Sequence, residues 1–298
     1  MKRALVAAVI CISLILPSVV RADDDARDYI PAPPGTLAIL TYYKHIFGNT
    51  LYEDGKKISN DYNFSENLGM FRVVYYMMLG PIEIDPQFII PFADFSVDGK
   101  AVGNNELSAS GIGDPMVFAT FWFINNKESK TWLGFTPFIT IPGGNYDSSR
   151  GSLNIGTNRW AFKPELGFVK GIGDRTFFEI ILAGEFYTDN NDYVGKTLSQ
   201  DPVLTVESHL SYDLTKSMYA SLDYFYHNGG EQKLEDISLN NTKDDHALQL
   251  TLGYSFAPGF QVLLQYRNDF EVNSGPVTQT VGFRFLYAFD MLQACSTK

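Results

Sequence analysis

The sequence predicts an all-β fold, a twelve-stranded antiparallel transmembrane (outer-membrane) β-barrel. Three observations carry that expectation: twelve runs of alternating polar and apolar residues, an export leader ahead of them, and connections that alternate short and long. In the clearest run Leu248, Leu250, Leu252, Tyr254 and Phe256 alternate with Gln249, Thr251, Gly253 and Ser255. A β-strand sends successive side chains to opposite faces, so such a run has one oily and one wet side. Repeated behind an export signal, the pattern describes a barrel with lipid outside and water within.

The leader comes first. Lys2 and Arg3 give a positive start, Ala4 to Leu16 is apolar, and Val20-Arg21-Ala22 offers a cleavage site, so residues 1–22 read as a cleaved signal peptide. The apolar stretch is short for a spanning helix. Cleavage removes Lys2, Arg3 and Arg21 from the 23 basic residues, leaving 20 against 34 acidic ones, a formal charge of -14. That balance argues against nucleic acid as a partner, because phosphate binding needs clustered Lys and Arg. Cys11 leaves with the leader, so Cys295 remains alone and no internal disulfide is expected.

Residues 23–35 are charged, then proline-rich (Pro31, Pro33, Pro34), and read as an extended lead-in able to fold back as a lumen plug. The barrel is expected over 36–289, followed by a tail at 290–298. Its strand candidates are 36–46, 66–78, 82–95, 113–124, 131–141, 158–170, 175–188, 202–213, 217–228, 245–256, 259–271 and 277–289. Each is long enough for the roughly 9–11 residues that cross a bilayer as a tilted strand. Tight turns at Leu79-Gly80-Pro81, Gly171-Ile172-Gly173, Asp213 to Lys216 and Ala257-Pro258-Gly259 alternate with longer stretches near 48–64, 96–112, 142–157, 189–201 and 229–244. Short periplasmic turns and long outer loops follow if the first strand runs outward.

Six strands phase cleanly. In the third, Ile82, Ile84, Phe88, Ile90 and Phe92 oppose Glu83, Asp85 and Gln87; in the sixth, Trp160, Phe162, Leu166 and Phe168 oppose Arg159, Lys163 and Glu165. The seventh sets Glu179 and Glu185 against Phe178, Ile180, Leu182 and Phe186. The eighth sets Glu207, His209 and Ser211 against Leu204, Val206, Leu210 and Tyr212. The ninth opposes Asp223 and His227 to Leu222, Tyr224 and Tyr226, and the eleventh opposes Gln265, Arg267 and Asp269 to Val262, Leu264 and Tyr266. A lysine or arginine facing lipid at mid-depth costs about 2–4 kcal/mol, so the charged faces turn inward. The expected lumen lining is Arg72, Glu83, Lys163, Glu165, Glu185, Glu207, Asp223, Arg267 and Arg284. Its mixed signs suit either a salt-bridged filling or a polar channel wall. The fourth and fifth strands phase poorly, leaving an apolar lumen patch of Phe121 and Phe123, or of Phe118 and Trp122.

Aromatic residues near the turns (Trp122 and Trp132, Tyr212 and Tyr219, Phe256 and Phe260) and at the far level (Trp160, Phe186, Tyr226, Phe270) suggest two interfacial girdles. The last strand carries Val281, Phe283, Phe285, Tyr287 and Phe289 on one face, resembling the terminal signal read by the barrel assembly machinery.

A family resemblance rests on Pro34-Gly35-Thr36-Leu37, Asp54-Gly55-Lys56, Arg72, Pro91, Ser110-Gly111-Ile112-Gly113-Asp114-Pro115, Ile141-Pro142-Gly143 and Asn158-Arg159-Trp160-Ala161-Phe162-Lys163-Pro164-Glu165-Leu166-Gly167. In order and spacing these resemble the "MetA-pathway of phenol degradation" family of outer-membrane proteins, over nearly the whole mature chain. The resemblance implies a bacterial outer-membrane barrel associated with uptake of aromatic or other hydrophobic small molecules. It supplies no catalytic residues.

Other chemistry is sparse. Four histidines, at 45, 209, 227 and 246, match no zinc spacing, and Gly111-Ile112-Gly113-Asp114 lacks the lysine of a phosphate loop. Asp244-Asp245-His246 reads as an acidic cluster in the longest outer loop. His209, Ser211 and Asp223 resemble the histidine–serine spacing of outer-membrane phospholipase A, but they phase with the lumen. The hairpin register is expected to set Asp223 nearer Glu207 than His209. No enzyme activity, cofactor or metal is expected. The expected function is passive uptake of a small hydrophobic or aromatic molecule; the alternative is a structural or surface-interaction barrel with a closed lumen. Expected partners are outer-membrane lipid and lipopolysaccharide, the solute and the assembly machinery.

Overall fold

The computed structural model describes residues 23–291; the leader 1–22 and residues 292–298 of the tail lie outside the described residues. Twelve long strands form the wall: β1 (Thr36–Glu53), β2 (Asn63–Tyr75), β3 (Ile82–Asp98), β4 (Met116–Asn126), β5 (Thr131–Thr140) and β6 (Ala161–Ile172) come first. Then follow β7 (Thr176–Tyr187), β8 (Val203–Asp213), β9 (Met218–Gly229), β10 (Lys243–Ala257), β11 (Phe260–Glu271) and β12 (Gly275–Asp290). Each pairs antiparallel with its sequence neighbours, and β12 pairs with β1 from Thr36↔Asp290 to Tyr52↔Gly275, closing the barrel. Closure leaves no unpaired edge for the hydrocarbon to meet, which is what allows a sheet to span a membrane.

The twelve strand candidates are all present, with shifted ends. β1, β2 and β3 run beyond the expected membrane depth because backbone pairing continues after the apolar alternation stops. The stretch expected as a loop at 48–64 is largely hairpin, with a short strand Lys56–Ser59 against β1. The fourth candidate is interrupted: Leu107–Ile112 pairs with the outer half of β3, the chain steps out at Gly113-Asp114-Pro115, and β4 resumes the pairing at Met116. Outer segments 190–200 and 232–238 make a separate four-stranded sheet whose Tyr193, Leu198 and Leu234 pack with Leu239. Strands of two to five residues carry too little alternation to announce themselves in sequence.

The oily face looks outward, as phased. Leu166, Leu182, Leu204 and Leu222 are all exposed, whereas Glu165, Glu179, Glu207 and Asp223 on the same strands are buried. The poorly phased strands resolve with Phe118 and Trp122 inside, so the apolar lumen patch is that pair and not Phe121 with Phe123. Phe118 stacks on Phe138 at 4.1 Å.

The periplasmic girdle needs correction. Trp122 and Trp132 are 4% and 5% exposed and point into the barrel, where their Nε1 atoms donate to Asp85 and Asn125. Tyr219 also points inward. An aromatic side chain beside a turn can serve a belt or a packed interior, and only the strand phase decides. On β10–β12 the belt does form, with Phe256, Phe260, Phe285 and Tyr287 in contact at the periplasmic end.

Leu250 lies at the middle of β10 and is 60% exposed. Leu250→Lys is expected to destabilise the barrel by about 2–4 kcal/mol in urea titrations from lipid vesicles. Leu250→Ala should lose much less.

Candidate functional site

Inward arginines and carboxylates cluster on different arcs, with Lys163 and Asp269 as local counter-charges. Arg267 on β11, Arg284 on β12 and Arg72 on β2 stand on one arc of the wall. Glu165, Glu179, Glu207 and Asp223, on the consecutive strands β6, β7, β8 and β9, stand on the opposite arc. Residues 23–30 engage both arcs.

Toward the basic arc the segment presents carboxylates. Asp23 pairs with Arg267, Asp25 with Arg284 at 2.8 Å, and Asp28 with Arg284 at 3.0 Å and Arg72 at 2.7 Å. Toward the acidic arc it presents donors. The Asp24 amide donates to Glu207 at 3.0 Å, and the Arg27 amide donates to both carboxylate oxygens of Glu179 at 2.8 and 2.9 Å. The Tyr29 hydroxyl donates to Glu165 at 2.8 Å. Charge-assisted hydrogen bonds of this kind are about twice as strong as neutral ones. Turn bonds from Asp28 N to Asp25 O and from Ile30 N to Arg27 O, each 3.1 Å, keep the segment compact.

The ring of Tyr29 fits because its seat has no side chains. Gly134 and Gly167 are register partners on β5 and β6, and a Cβ on Gly167 would stand 2.3 Å from the ring. Tyr29 then packs with Trp122, Trp132, Val169 and Ile181. The Arg27 guanidinium lies 4.0 Å from the Tyr219 ring centroid and donates to Ser211 and Asp213. Two carboxyls of the segment respond oppositely to burial. Desolvation, with Glu165 and Glu207 nearby, raises Asp24 well above the usual carboxylate range. For Asp28 burial also pushes upward, but Arg72 and Arg284 outweigh it and hold the group low.

All nine expected lining residues turn inward, in three different settings. Arg72, Glu165, Glu207, Arg267 and Arg284 bind the N-terminal segment directly. Lys163 pairs with Glu165 at 2.7 Å, and Asp223 accepts from His209, Ser221 and Thr251. Glu83 accepts from Asn125 near the periplasmic end, and Glu185 accepts from Tyr187 near the outer end. Sequence reasoning phased Glu179 inward without placing it in the lining set, and did not single out the aspartates of the segment. Their signal was present in the Asp-rich stretch 23–28, but its counter-charges are more than 40 residues away.

Two expectations are overturned. Asp223 is the register partner of His209, with Oδ1 and Nδ1 3.0 Å apart, and does not sit nearer Glu207. The serine is nevertheless misplaced for a triad: the Ser211 hydroxyl accepts from Arg27, while His209 Nε2 faces Glu207 at 3.6 Å. A nucleophile needs the imidazole within hydrogen-bond reach. Likewise Asp244-Asp245-His246 is not a loop cluster but the start of β10. Asp245 is buried, whereas Asp244 and His246 bond Tyr226 and Tyr224 on the other face. Successive strand residues cannot converge on one ion.

Outside the segment the lumen opens into a chamber of about 190 Å³. Its floor is Asp23, Arg267 and Asp269, and its apolar side is Ile46, Phe64, Leu68 and Ile155. Ile155 belongs to the connection 141–160, which Asp114 pins inward: its carboxylate accepts from Gly143, Gly144 and both the amide and hydroxyl of Thr157. Of the nine expected lining residues, Arg267 borders this chamber.

A closed lipid-faced barrel with a charged, partly filled interior is a bacterial outer-membrane β-barrel protein. The chain belongs to the "MetA-pathway of phenol degradation" family, whose model matches residues 48–285. It is similar to a solved outer membrane channel from Pseudomonas putida F1 at 25% identity, with a TM-score of 0.85 over 90% of this chain and 100% of the other. Two more distant structures share the fold alone. The β domain of the Bordetella autotransporter BrkA is 10% identical at a TM-score of 0.52, covering 86% of this chain and 100% of that one. The translocator domain of the Neisseria meningitidis autotransporter NalP is 10% identical at 0.51, covering 97% and 98%. No curated protein matches the chain.

Arg27 is a tryptic site shielded by its partners. Asp25→Asn combined with Asp28→Asn removes the carboxylates that face Arg72 and Arg284. Trypsin is expected to cleave after Arg27 in this folded double variant far faster than in the parent, read by mass spectrometry of the released peptide.

Proposed function

We propose that this barrel is a passive outer-membrane channel for small, partly apolar molecules, and that residues 23–30 are a displaceable plug on its periplasmic side. The observation that carries this is the division of the lumen. A chamber with both apolar and charged walls lies toward the long loops, and a separate peptide, not the wall itself, blocks the way onward. The similarity to the Pseudomonas putida channel supports the same reading.

The plug joins no sheet ladder of the barrel over residues 23–30. Its described bonds run to side chains or stay within its own turns. Displacing it breaks charge-assisted contacts but leaves the wall intact, and water can hydrate both arcs as it leaves. A solute then meets weak successive contacts, as conduction requires. No energy coupling is needed.

A second reading, a structural barrel with a permanently closed lumen, draws support from the same ion pairs. Breaking a buried pair by removing one partner costs about 3–5 kcal/mol, and this segment makes several. Planar-bilayer recordings separate the two. Protein lacking residues 23–30 is expected to conduct in larger steps than the full mature chain, and its liposomes should admit small aromatic solutes faster. If neither form conducts nor passes solute, the channel reading fails and the closed barrel stands.

A further inference from the structure

We propose that the outer chamber is a binding site for monoanionic amphiphiles, with Arg159 as the carboxylate anchor and the Phe64–Leu68–Ile155 side as the seat for the hydrocarbon or aryl group. This rests on the channel reading and gives it a substrate class.

Arg159 lies just before β6 and borders the chamber, yet is only 7% exposed. One amino group, Nη2, donates to Gln200, and the guanidinium sits 4.5 Å from the ring of Tyr187. The other, Nη1, is buried and has no hydrogen-bond partner. Three carboxylates act on it electrostatically, Glu185, Asp114 and Asp189; none bonds Nη1, and two are committed elsewhere. Glu185 accepts from the Tyr187 hydroxyl at 2.7 Å, and both oxygens of Asp114 are taken up by the connection that it pins. A buried guanidinium with an unused donor is costly unless an anion joins it. Burial lowers its proton affinity, and the acids around it restore only part.

Of the other cations at the chamber, Arg267 is already held between Asp23 and Asp269, and Asp269 also accepts from Thr278. Lys44 and Lys243 also line the wall, but an ammonium offers a point charge and not a planar fork. The aliphatic side is distinct from the polar one: Phe64, Leu68 and Ile155 belong to one apolar cluster, and Ile46 packs against it. At about 190 Å³ the space corresponds to roughly a dozen water positions, enough for a single aromatic ring with its carboxylate. A planar guanidinium fork beside a greasy wall selects a ligand that is charged at one end and apolar at the other.

Isothermal titration of the detergent-solubilised mature protein with benzoate, and with its neutral isostere benzamide, tests this. Benzoate is expected to bind at least tenfold more tightly than benzamide. Arg159→Gln should bring benzoate down to the benzamide level and leave benzamide unchanged. Arg159→Lys should fall between. Circular dichroism melting checks that each variant folds; if Arg159→Gln does not, the benzoate-to-benzamide ratio of the parent protein decides. Equal affinities in the parent, no benzoate binding, or benzoate affinity unaltered by Arg159→Gln would overturn the proposal. Equilibrium binding needs no conduction. A barrel that conducts but does not discriminate therefore removes this site alone, and one that binds benzoate but passes no current removes the channel reading alone.

Discussion

The architecture depends on keeping ionised groups out of hydrocarbon. Lipid forbids them on the outer face, so each strand must place its charges in the lumen. There they are not distributed evenly. Three arginines on β2, β11 and β12 face carboxylates on β6 to β9. Clustered like charges in a dry interior repel, on the basic arc and on the acidic one alike. The Asp-rich N-terminal segment resolves both problems at once, because its side chains are anionic while its amides and the Tyr29 hydroxyl are donors. One short peptide can thus satisfy opposite walls. An apolar peptide could not, and a uniformly charged one would satisfy only one of them.

Much of this was legible in the sequence, because period-two alternation is a local signal. Leu250 and Gln249 report their faces without knowledge of any partner. Strand number and the inward set from Arg72 to Arg284 follow from that rule, while strand direction is read from the alternation of short turns and long loops. Three kinds of feature do not. Strand ends such as Glu53 and Asp98 lie beyond the hydrocarbon, where pairing persists but alternation has no reason to. The turn aromatics Trp122 and Trp132 have the same composition inside as in a belt, so their identity does not give their depth. Register is the third. Asp223 meets His209, two positions along β8 from the expected Glu207, and local alternation cannot tell these apart because both lie on the inward face.

The site was less legible than the fold for a related reason. Asp25 and Arg284 are separated by 259 positions, and nothing near either residue announces the other. Arg159 illustrates the same limit. In the alternation of β6 it is one inward charge among several, next to Lys163 and Glu165. Only the fold shows that Lys163 has a carboxylate and that the guanidinium of Arg159 keeps a donor to spare.

The placement of the two features along the lumen gives them different work. Around Tyr29 the interior is packed by aromatic rings and glycines chosen for contact, so the periplasmic half behaves like a protein core. Toward the loops it is a chamber, with Ile155 brought in by the Asp114 clamp to narrow it. Arg267 stands where the two halves meet: it borders the chamber and, paired with Asp23 and Asp269, secures the start of the segment. Its charge is therefore spent on the packed half, while the unused donor of Arg159 remains on the chamber side.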